Sequence, residues 1–470
     1  MIFTLKDVQM NFDHIFREYD IRGIFQQDLN QEIVYKIGYT LASVLKSRGE
    51  ESINIGYDAR THSPILFSWL KDGLQAQGIK VYNMGLIPTP VAYFSIFCGN
   101  YANSSVMITG SHNPAQYNGF KITLAKEPFY GKDIQALKEQ IYSLQVSHTP
   151  QNQEVQNIDV LSQYIAYLTE HFSSLKNFPY PIAVDCGNGV AGVALEPILK
   201  NLNITYAPLF VDPDGTFPNH HPDPSEEKNL QDVKRVMREQ NIPIALAFDG
   251  DADRIALLSS NHSYKGDELA ILFARAIAKE IAPKKPIIIG EVKCSAVMYD
   301  ECNKIGSSVM YKTGHSNLKV KLKELNASLA AEMSGHIFFN DRYFGYDDAI
   351  YAGLRALELF LHSSIEEIEN SILSLPKVYS TDEEKIPTDE ALKFALISKL
   401  QNSLSNPPAT FPKILDVISI DGVRIIFEKG WGLVRASNTT PVLVTRFEAQ
   451  SQELLELYKK ETLALLDSLK

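Results

Sequence analysis

Two short segments of the chain carry residue types and spacings that could do chemistry together. The first, Thr109-Gly110-Ser111-His112-Asn113-Pro114, follows the apolar run Val106-Met107-Ile108. A glycine before the serine and a proline after it suit a turn that presents one hydroxyl at the mouth of a strand. The second, Asp249-Gly250-Asp251-Ala252-Asp253-Arg254, sets aspartates at alternate positions between Leu246-Ala247-Phe248 and Ile255-Ala256-Leu257-Leu258. A tight turn with that alternation aims three carboxylates at one spot, where they repel unless a cation neutralises them. All-oxygen donors suit Mg²⁺, Mn²⁺ or Ca²⁺ rather than zinc. A helix-loop-helix calcium site is excluded, because Arg254 stands where glycine is needed and Ser260 where glutamate is needed. A serine hydroxyl beside a divalent-cation site points to phosphoryl transfer. Taken alone, the serine loop also reads as a plain turn.

A hydrolase elbow is not the explanation of the serine, since Asn113 occupies the place of the second glycine in G-x-S-x-G. His112, adjacent in sequence, is expected to point away from Ser111 and so not to serve as its base. Lys121, in Asn118-Gly119-Phe120-Lys121, is expected to return to the loop. Two further polar segments stand out. Glu332-Met333-Ser334-Gly335-His336 offers carboxylate and hydroxyl acceptors of the kind sugar hydroxyls need, though it also reads as a turn between strands. Arg435-Ala436-Ser437-Asn438-Thr439-Thr440-Pro441 combines a guanidinium with hydroxyl, amide and backbone donors, either an anion cradle or a capping turn.

The elements that must position these loops are legible. Apolar runs lead into polar loops at Ile53–Gly56, Pro181–Val184, Ile244–Phe248 and Ile287–Gly290, with helical patterns downstream. Short, wholly apolar strands alternating with helices predict α/β sheets covered on both faces. Ile33, Val34, Ile37, Leu41, Val44 and Leu45 predict a helix, as do Ile158, Leu161, Ile165 and Leu168, and Leu269, Leu272, Phe273 and Ala276. The last hundred residues differ. Asp416–Ile420 and Val423–Phe427 flank Asp421-Gly422, a hairpin signal, and a terminal helix is predicted around Leu454, Leu455, Tyr458, Leu463 and Leu466. The expected architecture is four domains: three α/β mixed-sheet domains over residues 1–153, 154–257 and 258–370, then an α+β domain with an antiparallel sheet over 371–470.

Bulk composition narrows the function classes. The chain has 470 residues, 45% hydrophobic and 21% charged, and a net charge of −11. That acidity disfavours nucleic-acid binding, so any anionic ligand needs a locally positive cleft. Cys98, Cys186, Cys294 and Cys302 form no C-x-x-C pair and are expected to be reduced and buried. No signal peptide pattern and no membrane-length apolar run is visible, so a cytoplasmic protein without membrane partners is expected.

The four loops, in this order and with Arg17-Glu18-Tyr19-Asp20-Ile21-Arg22-Gly23, Gly85–Pro90, Lys293-Cys294 and Thr313-Gly314-His315-Ser316 as companions, resemble the α-D-phosphohexomutase superfamily over essentially the whole chain. Met333 and the Gly335-His336 ending resemble its bacterial phosphomannomutase/phosphoglucomutase branch; Ala331 departs from the glycine usual there. The resemblance implies four domains around a central cleft, each supplying one loop. It implies that Ser111 is a phosphoserine and that Asp249, Asp251 and Asp253, with an oxygen on Ser111, bind Mg²⁺. His112, Lys121, Arg254 and His315 fall in the catalytic set, with Lys121 and His315 as proton-transfer candidates. Glu332, Ser334 and His336 would hold the sugar, Arg435, Ser437, Asn438 and Thr439 the distal phosphate, and Tyr19, Arg22 and Lys293 would line the cleft. The implied activity moves phosphate between the 1- and 6-positions of mannose or glucose phosphate, with glucose or mannose 1,6-bisphosphate as activator and intermediate, in a monomer. Phosphoglucosamine mutase, a Mg²⁺-dependent sugar phosphatase and a silent sugar-phosphate binder are the alternative readings.

Overall fold

The computed structural model describes residues 12–438 and 440–470. The N-terminal residues 1–7, read above as lacking a signal-peptide pattern, and the Thr439 assignment therefore lie outside the described residues. Four sheets follow one another along the chain. The first runs in the order Ile21–Ile24, Tyr117–Leu124, Ser105–Ile108, Ser52–Tyr57, Lys80–Leu86 and Gln156–Asn157, with Glu127–Pro128 pairing on Tyr117–Leu124. Its centre is parallel, while Tyr117–Leu124 and Ile21–Ile24 run antiparallel to their neighbours. The second (Ser263–Tyr264, Ile255–Ser259, Ile244–Phe248, Ile182–Asp185, Tyr206–Leu209) and the third (Ser307–Tyr311, Ile287–Glu291, Leu329–Ala331, Ile337–Phe339) are likewise mixed. The fourth, built on Ile414–Ile418, Val423–Phe427, Gly430–Ala436 and Val442–Ala449, is wholly antiparallel. Three α/β mixed-sheet domains and a C-terminal antiparallel domain are thus observed.

The sheets do not end at the expected limits. Gln156–Asn157 still pairs with the first sheet beyond residue 153. Residue 257 falls inside the strand Ile255–Ser259, whose ladder continues to Tyr264, and residue 370 falls inside the helix Ile365–Leu373. In each case hydrogen bonding carries the element past the expected limit.

Local chemistry explains the helices. Asn30, Asp348, Ser364 and Ser451 each accept a backbone N–H at a helix start. The helices Gln31–Ser47 and Ser63–Ala76 pack backbone to backbone, since a Cβ on Gly38 would lie 2.2 Å from the Leu70 carbonyl oxygen and one on Gly73 2.2 Å from that of Tyr35. The strands Ile244–Phe248 and Ile255–Ser259 are buried at every position, as their apolar sequence requires.

One core spans the first three domains, joining residues such as Met84, Val91, Tyr164, Leu246, Phe248, Leu272, Phe339 and Tyr351. The fourth domain has its own core, and a small cluster of Val292, Trp431 and Leu433 connects it to the third. Cys186, Cys294 and Cys302 are buried and free as expected; Cys98 is free but only half-buried, at the end of a short helix. No helix among the described residues is long and apolar enough to cross a membrane.

Candidate active site

The serine loop leaves the end of Ser105–Ile108 and is wound around one buried cation. The Arg60 guanidinium donates to the carbonyl oxygens of Ser111 (2.8 Å), Asn113 (2.6 Å), Pro114 (2.7 Å) and Tyr117 (3.0 Å), while Asp58 pairs its Nε at 3.1 Å. Asp58 also accepts from Thr109 Oγ1 and Gly110 N. Gly110 is required, because a Cβ there would lie 2.5 Å from the guanidinium. Ser111 itself sits at φ +48°, a left-handed conformation uncommon for a serine, held by this surrounding net.

That backbone twist overturns the expectation for His112. Adjacent side chains diverge on an extended strand, but past Ser111 the chain is no longer extended, and His112 Nδ1 lies 3.1 Å from Ser111 Oγ. Burial, reinforced by Arg254, pushes the His112 pKa well below the usual range, so its ring is neutral.

The acidic loop meets the serine directly. Ser111 Oγ donates to Asp249 Oδ2 at 3.0 Å, and Asp249 Oδ1 accepts the amides of Asp253 and Arg254 at 3.0 Å each. Gly250 allows the approach: a Cβ on it would lie 2.6 Å from the Ser111 carbonyl oxygen. Asp249, Asp251 and Asp253 are fully buried, with one oxygen of each within 4.8 Å of the others. Lys121, expected to return to the serine loop, donates to the acidic loop, to Asp251 Oδ2 at 2.7 Å and to Asp253 Oδ2; Thr89 adds a 2.5 Å bond to Asp251. Burial works against the lysine's charge, yet the two aspartates hold it well above the ordinary range. Burial, with Asp253 and Asp251 adding to it, raises the Asp249 carboxyl well above its usual value.

One lysine cannot satisfy three buried carboxylates. Among the described residues, Asp251 Oδ1 and Asp253 Oδ1 find no hydrogen-bond partner, and an orphaned buried carboxylate oxygen is costly. Three convergent oxygen donors with two unpaired atoms fit a hard divalent cation.

Arg254 leaves this loop toward the third domain. Its Nε donates to His336 Nε2 at 2.9 Å, and Nη1 lies 3.8 Å from Asp223. His336 Nδ1 therefore carries the ring proton and faces Asp347 Oδ2 at 3.3 Å. Asp347 also stands 3.9 Å from His315 Nδ1 and accepts from Lys319 at 2.9 Å. Burial, with Lys319 assisting, lowers the His315 pKa well below the usual range.

The sugar-binding candidates form a second group. Glu332 Oε1 accepts Gly314 N at 2.6 Å and Oε2 accepts Ser334 Oγ at 3.2 Å. Gly335, at φ +96°, brings its carbonyl to Ile255 N at 3.1 Å, so the second and third domains touch through these loops. Tyr19 Oη donates to the Thr313 carbonyl (2.8 Å) and accepts from Asn438 Nδ2 (2.7 Å), tying the first, third and fourth domains. Lys293 Nζ donates to Glu383 at 2.8 Å with Glu291 at 3.8 Å; Arg435 is gripped by both oxygens of Asp421 at 3.0 and 3.3 Å; and Arg22 donates to Gly110 O and Asn113 Oδ1 at 3.2 and 2.6 Å and pairs with Asp20. Ser437 Oγ bonds Thr440 Oγ1 at 2.9 Å, and Lys393 donates to the Ser437 carbonyl at 2.6 Å.

Sequence reasoning missed Asp58, Arg60, Asp223, Asp347, Lys393 and Glu383, which hold the expected residues from elsewhere in the chain, and Glu291, which holds Lys293 from two residues before it. Asp58 and Arg60, in the loop after Ile53–Gly56, and Glu291, in the loop after Ile287–Gly290, gave a local signal as polar residues at strand ends. Asp421 was read as half of a two-residue turn. The ladder instead pairs Ile418 with Arg424, so the turn is longer and shifted, because Asp421 is drawn into bonds with Arg435 and with Thr313 N at 3.1 Å.

Comparison with known proteins matches this arrangement throughout. Models of the α/β/α domains I, II and III and the C-terminal domain of phosphoglucomutase/phosphomannomutase match residues 13–146, 162–262, 265–379 and 398–465. A phosphomannomutase/phosphoglucomutase of Pseudomonas aeruginosa is 41% identical over 95% of this chain and 94% of its own. A phosphoglucomutase of Neisseria meningitidis is 38% identical over 97% of each. The crystal structure of a phosphoglucomutase/phosphomannomutase family protein from Burkholderia thailandensis has a TM-score of 0.86 at 35% identity and covers 98% of each chain.

Proposed function

This chain belongs to the phosphoglucomutase/phosphomannomutase family of the α-D-phosphohexomutase superfamily, isomerases of hexose phosphates, and we propose that it works through a phosphorylated Ser111. Phosphoserine 111 gives its phosphoryl group to the free 6-hydroxyl of mannose or glucose 1-phosphate. The resulting 1,6-bisphosphate turns end for end in the cleft, and Ser111 Oγ takes back the 1-phosphoryl group, leaving the 6-phosphate. The proton lost by the attacking hydroxyl passes to a buried base; His315, held neutral by burial, is the candidate, whereas Lys121, held as an ammonium by Asp251 and Asp253, can donate a proton but not accept one.

Asp249, Asp251 and Asp253 would hold Mg²⁺, which when bound supplies positive charge to the transferring group. Arg254, braced by His336, would offset the same charge. Glu332 and Ser334 orient the sugar hydroxyls. Arg435, Ser437 and Asn438 grip the phosphate that is not reacting, with Lys293 beside them, and Arg22 steadies the serine loop. A grip remote from Ser111 is what a reaction with two substrate orientations needs, and a phosphatase does not need it.

The observation that carries this reading is the 3.0 Å contact between the strained Ser111 hydroxyl and Asp249. Its test is Ser111→Ala in a coupled assay with glucose 1-phosphate, mannose 1-phosphate and added 1,6-bisphosphate. Turnover is expected to fall by ~10³-fold or more. Retained turnover would sink the proposal, and phosphate release outpacing isomerisation in the wild type would replace it with a phosphatase.

A further inference from the structure

The loop that carries Lys293 is held by its own domain and, at three successive carbonyls, by another. The Val292 and Cys294 carbonyl oxygens accept from Arg424 Nη1 at 2.6 and 2.9 Å, and the Lys293 carbonyl accepts from Arg446 Nη1. Ala296 N donates to Glu448 Oε1 at 3.0 Å, and the same oxygen accepts from Trp431 Nε1 at 2.8 Å. All four of these side chains are nearly inaccessible: Arg424 and Trp431 are 1% exposed, Arg446 and Glu448 2%. The Arg424 guanidinium lies 3.7 Å from the Trp431 ring centre, so the ring shields it from water. The third domain closes what remains, with Tyr299 Oη on the Glu291 carbonyl, Tyr311 O on Val292 N and Asp267 on Ser295 N.

These gripping residues share one face of the C-terminal sheet. Arg424, Leu433 and Arg446 lie across from one another in one row, and Ile426, Trp431 and Glu448 in the next. Side chains along a strand alternate, so Arg435, two residues past Leu433, belongs to that same face. The opposite face, with Val423, Ile425, Phe427, Val434 and Phe447, is committed to the domain's own core. The face that docks on the Lys293 loop therefore runs directly into Arg435.

We infer that Arg424 and Arg446 are positioning residues that lock the Lys293 loop to the sheet bearing Arg435, so that two cleft cations from different domains are presented at one spacing. The inference rests on reading Lys293 and Arg435 as ligands of the phosphosugar. Two carbonyls captured by one guanidinium and a third by another leave the loop no freedom to drift, whereas a loop satisfied by water would let the lysine wander. Misplacing such a group by even an ångström weakens its hold on a bound anion. Among the described residues, the serine loop and Asp249, Asp251 and Asp253 make no bond to this latch, so chemistry at Ser111 itself is untouched by it.

The test compares wild type with Arg446→Gln, Arg446→Lys and Arg424→Lys in the full chain with Mg²⁺. Three quantities are read: KM for glucose 1-phosphate, the calorimetric Kd of glucose 6-phosphate, and the loss of phosphate from phosphoserine 111 to water without sugar. Arg446→Gln and Arg424→Lys should raise KM and Kd roughly tenfold while the water reaction stays within about twofold, and Arg446→Lys should recover part of the loss. Parallel loss of all three, or unchanged KM and Kd with only a lower thermal midpoint, would show a merely structural role and overturn the inference. Should Arg446→Gln not fold, Arg424→Lys decides alone. A wild type that binds glucose 6-phosphate without isomerising it would defeat the mutase reading, and the Kd comparison would still judge the latch.

Discussion

Ser111 shows how far a single residue can be read from its neighbours. Gly110 and Pro114 announce an exposed turn, and the aspartates at alternate positions announce a cation. Neither reveals the positive φ that swings His112 onto the serine, because that strain is imposed by Arg60 and Asp58 some fifty residues earlier. Arg60→Ala should therefore unwind the serine loop and leave Asp58 buried without its partner, costing about 3–5 kcal/mol in urea denaturation. Arg60→Lys should rescue little, since an ammonium cannot reach four carbonyls and a carboxylate in one plane. Asp348 gives a pH prediction. Burial raises its carboxyl from 3.8 to about 6, against bonds from Tyr351 N, Tyr343 and Tyr164. Between about pH 4 and 6 the folded chain thus binds a proton that the unfolded chain has released, so this group's contribution to stability falls as pH rises. Asp348→Asn should remove that slope, measured as the difference in thermal midpoint from wild type across the range; an unchanged difference would show that the carboxyl titrates normally.

Elements built from local pattern were legible, and elements recruited by distant partners were not. The apolar strands Ile244–Phe248 and Ile287–Glu291 stand where their burial demands, and the terminal helix Gln452–Asp467 follows its periodicity. The hairpin was right in kind and wrong in register. Asp-Gly is a strong turn signal, but Asp421 is worth more as the partner of Arg435 than as a turn former, and no pattern around residue 421 encodes a bond to residue 435. Gly422, at φ +79°, keeps that contact possible, since a Cβ there would lie 2.5 Å from both the Val434 carbonyl and Arg435 Cβ. Gly422→Ala should push the Arg435 end of the strand away, raising KM for the sugar phosphate by roughly tenfold and destabilising the chain by ~1–2 kcal/mol. Steady-state kinetics beside a denaturant titration checks both.

Across the whole molecule, a chain of net charge −11 keeps Arg22, Lys121, Arg254, Lys293 and Arg435, the cations proposed to meet the anionic sugar, each paired with or beside an acidic side chain. These internal pairs fix the positions of the cations. The order of four loops was visible in the sequence because each is short and local. The manner in which four domains share residues was not, because Tyr19, Thr313 and Asn438 meet only once the chain is folded. Chelation of the metal should abolish turnover by ~10³-fold or more. The fold should survive it, because Lys121 already pairs two of the aspartates; far-UV circular dichroism should be unchanged, and collapse of the spectrum would contradict that account.

The central claim is that Ser111 carries the phosphoryl group. The most direct measurement incubates the full chain with glucose 1,6-bisphosphate and Mg²⁺, then maps phosphate by peptide mass spectrometry before and after a chase with glucose 1-phosphate. The account predicts phosphate on Ser111 that passes to the sugar during the chase. Isomerisation with Ser111 unmodified throughout, or with phosphate resident on another residue, would contradict it.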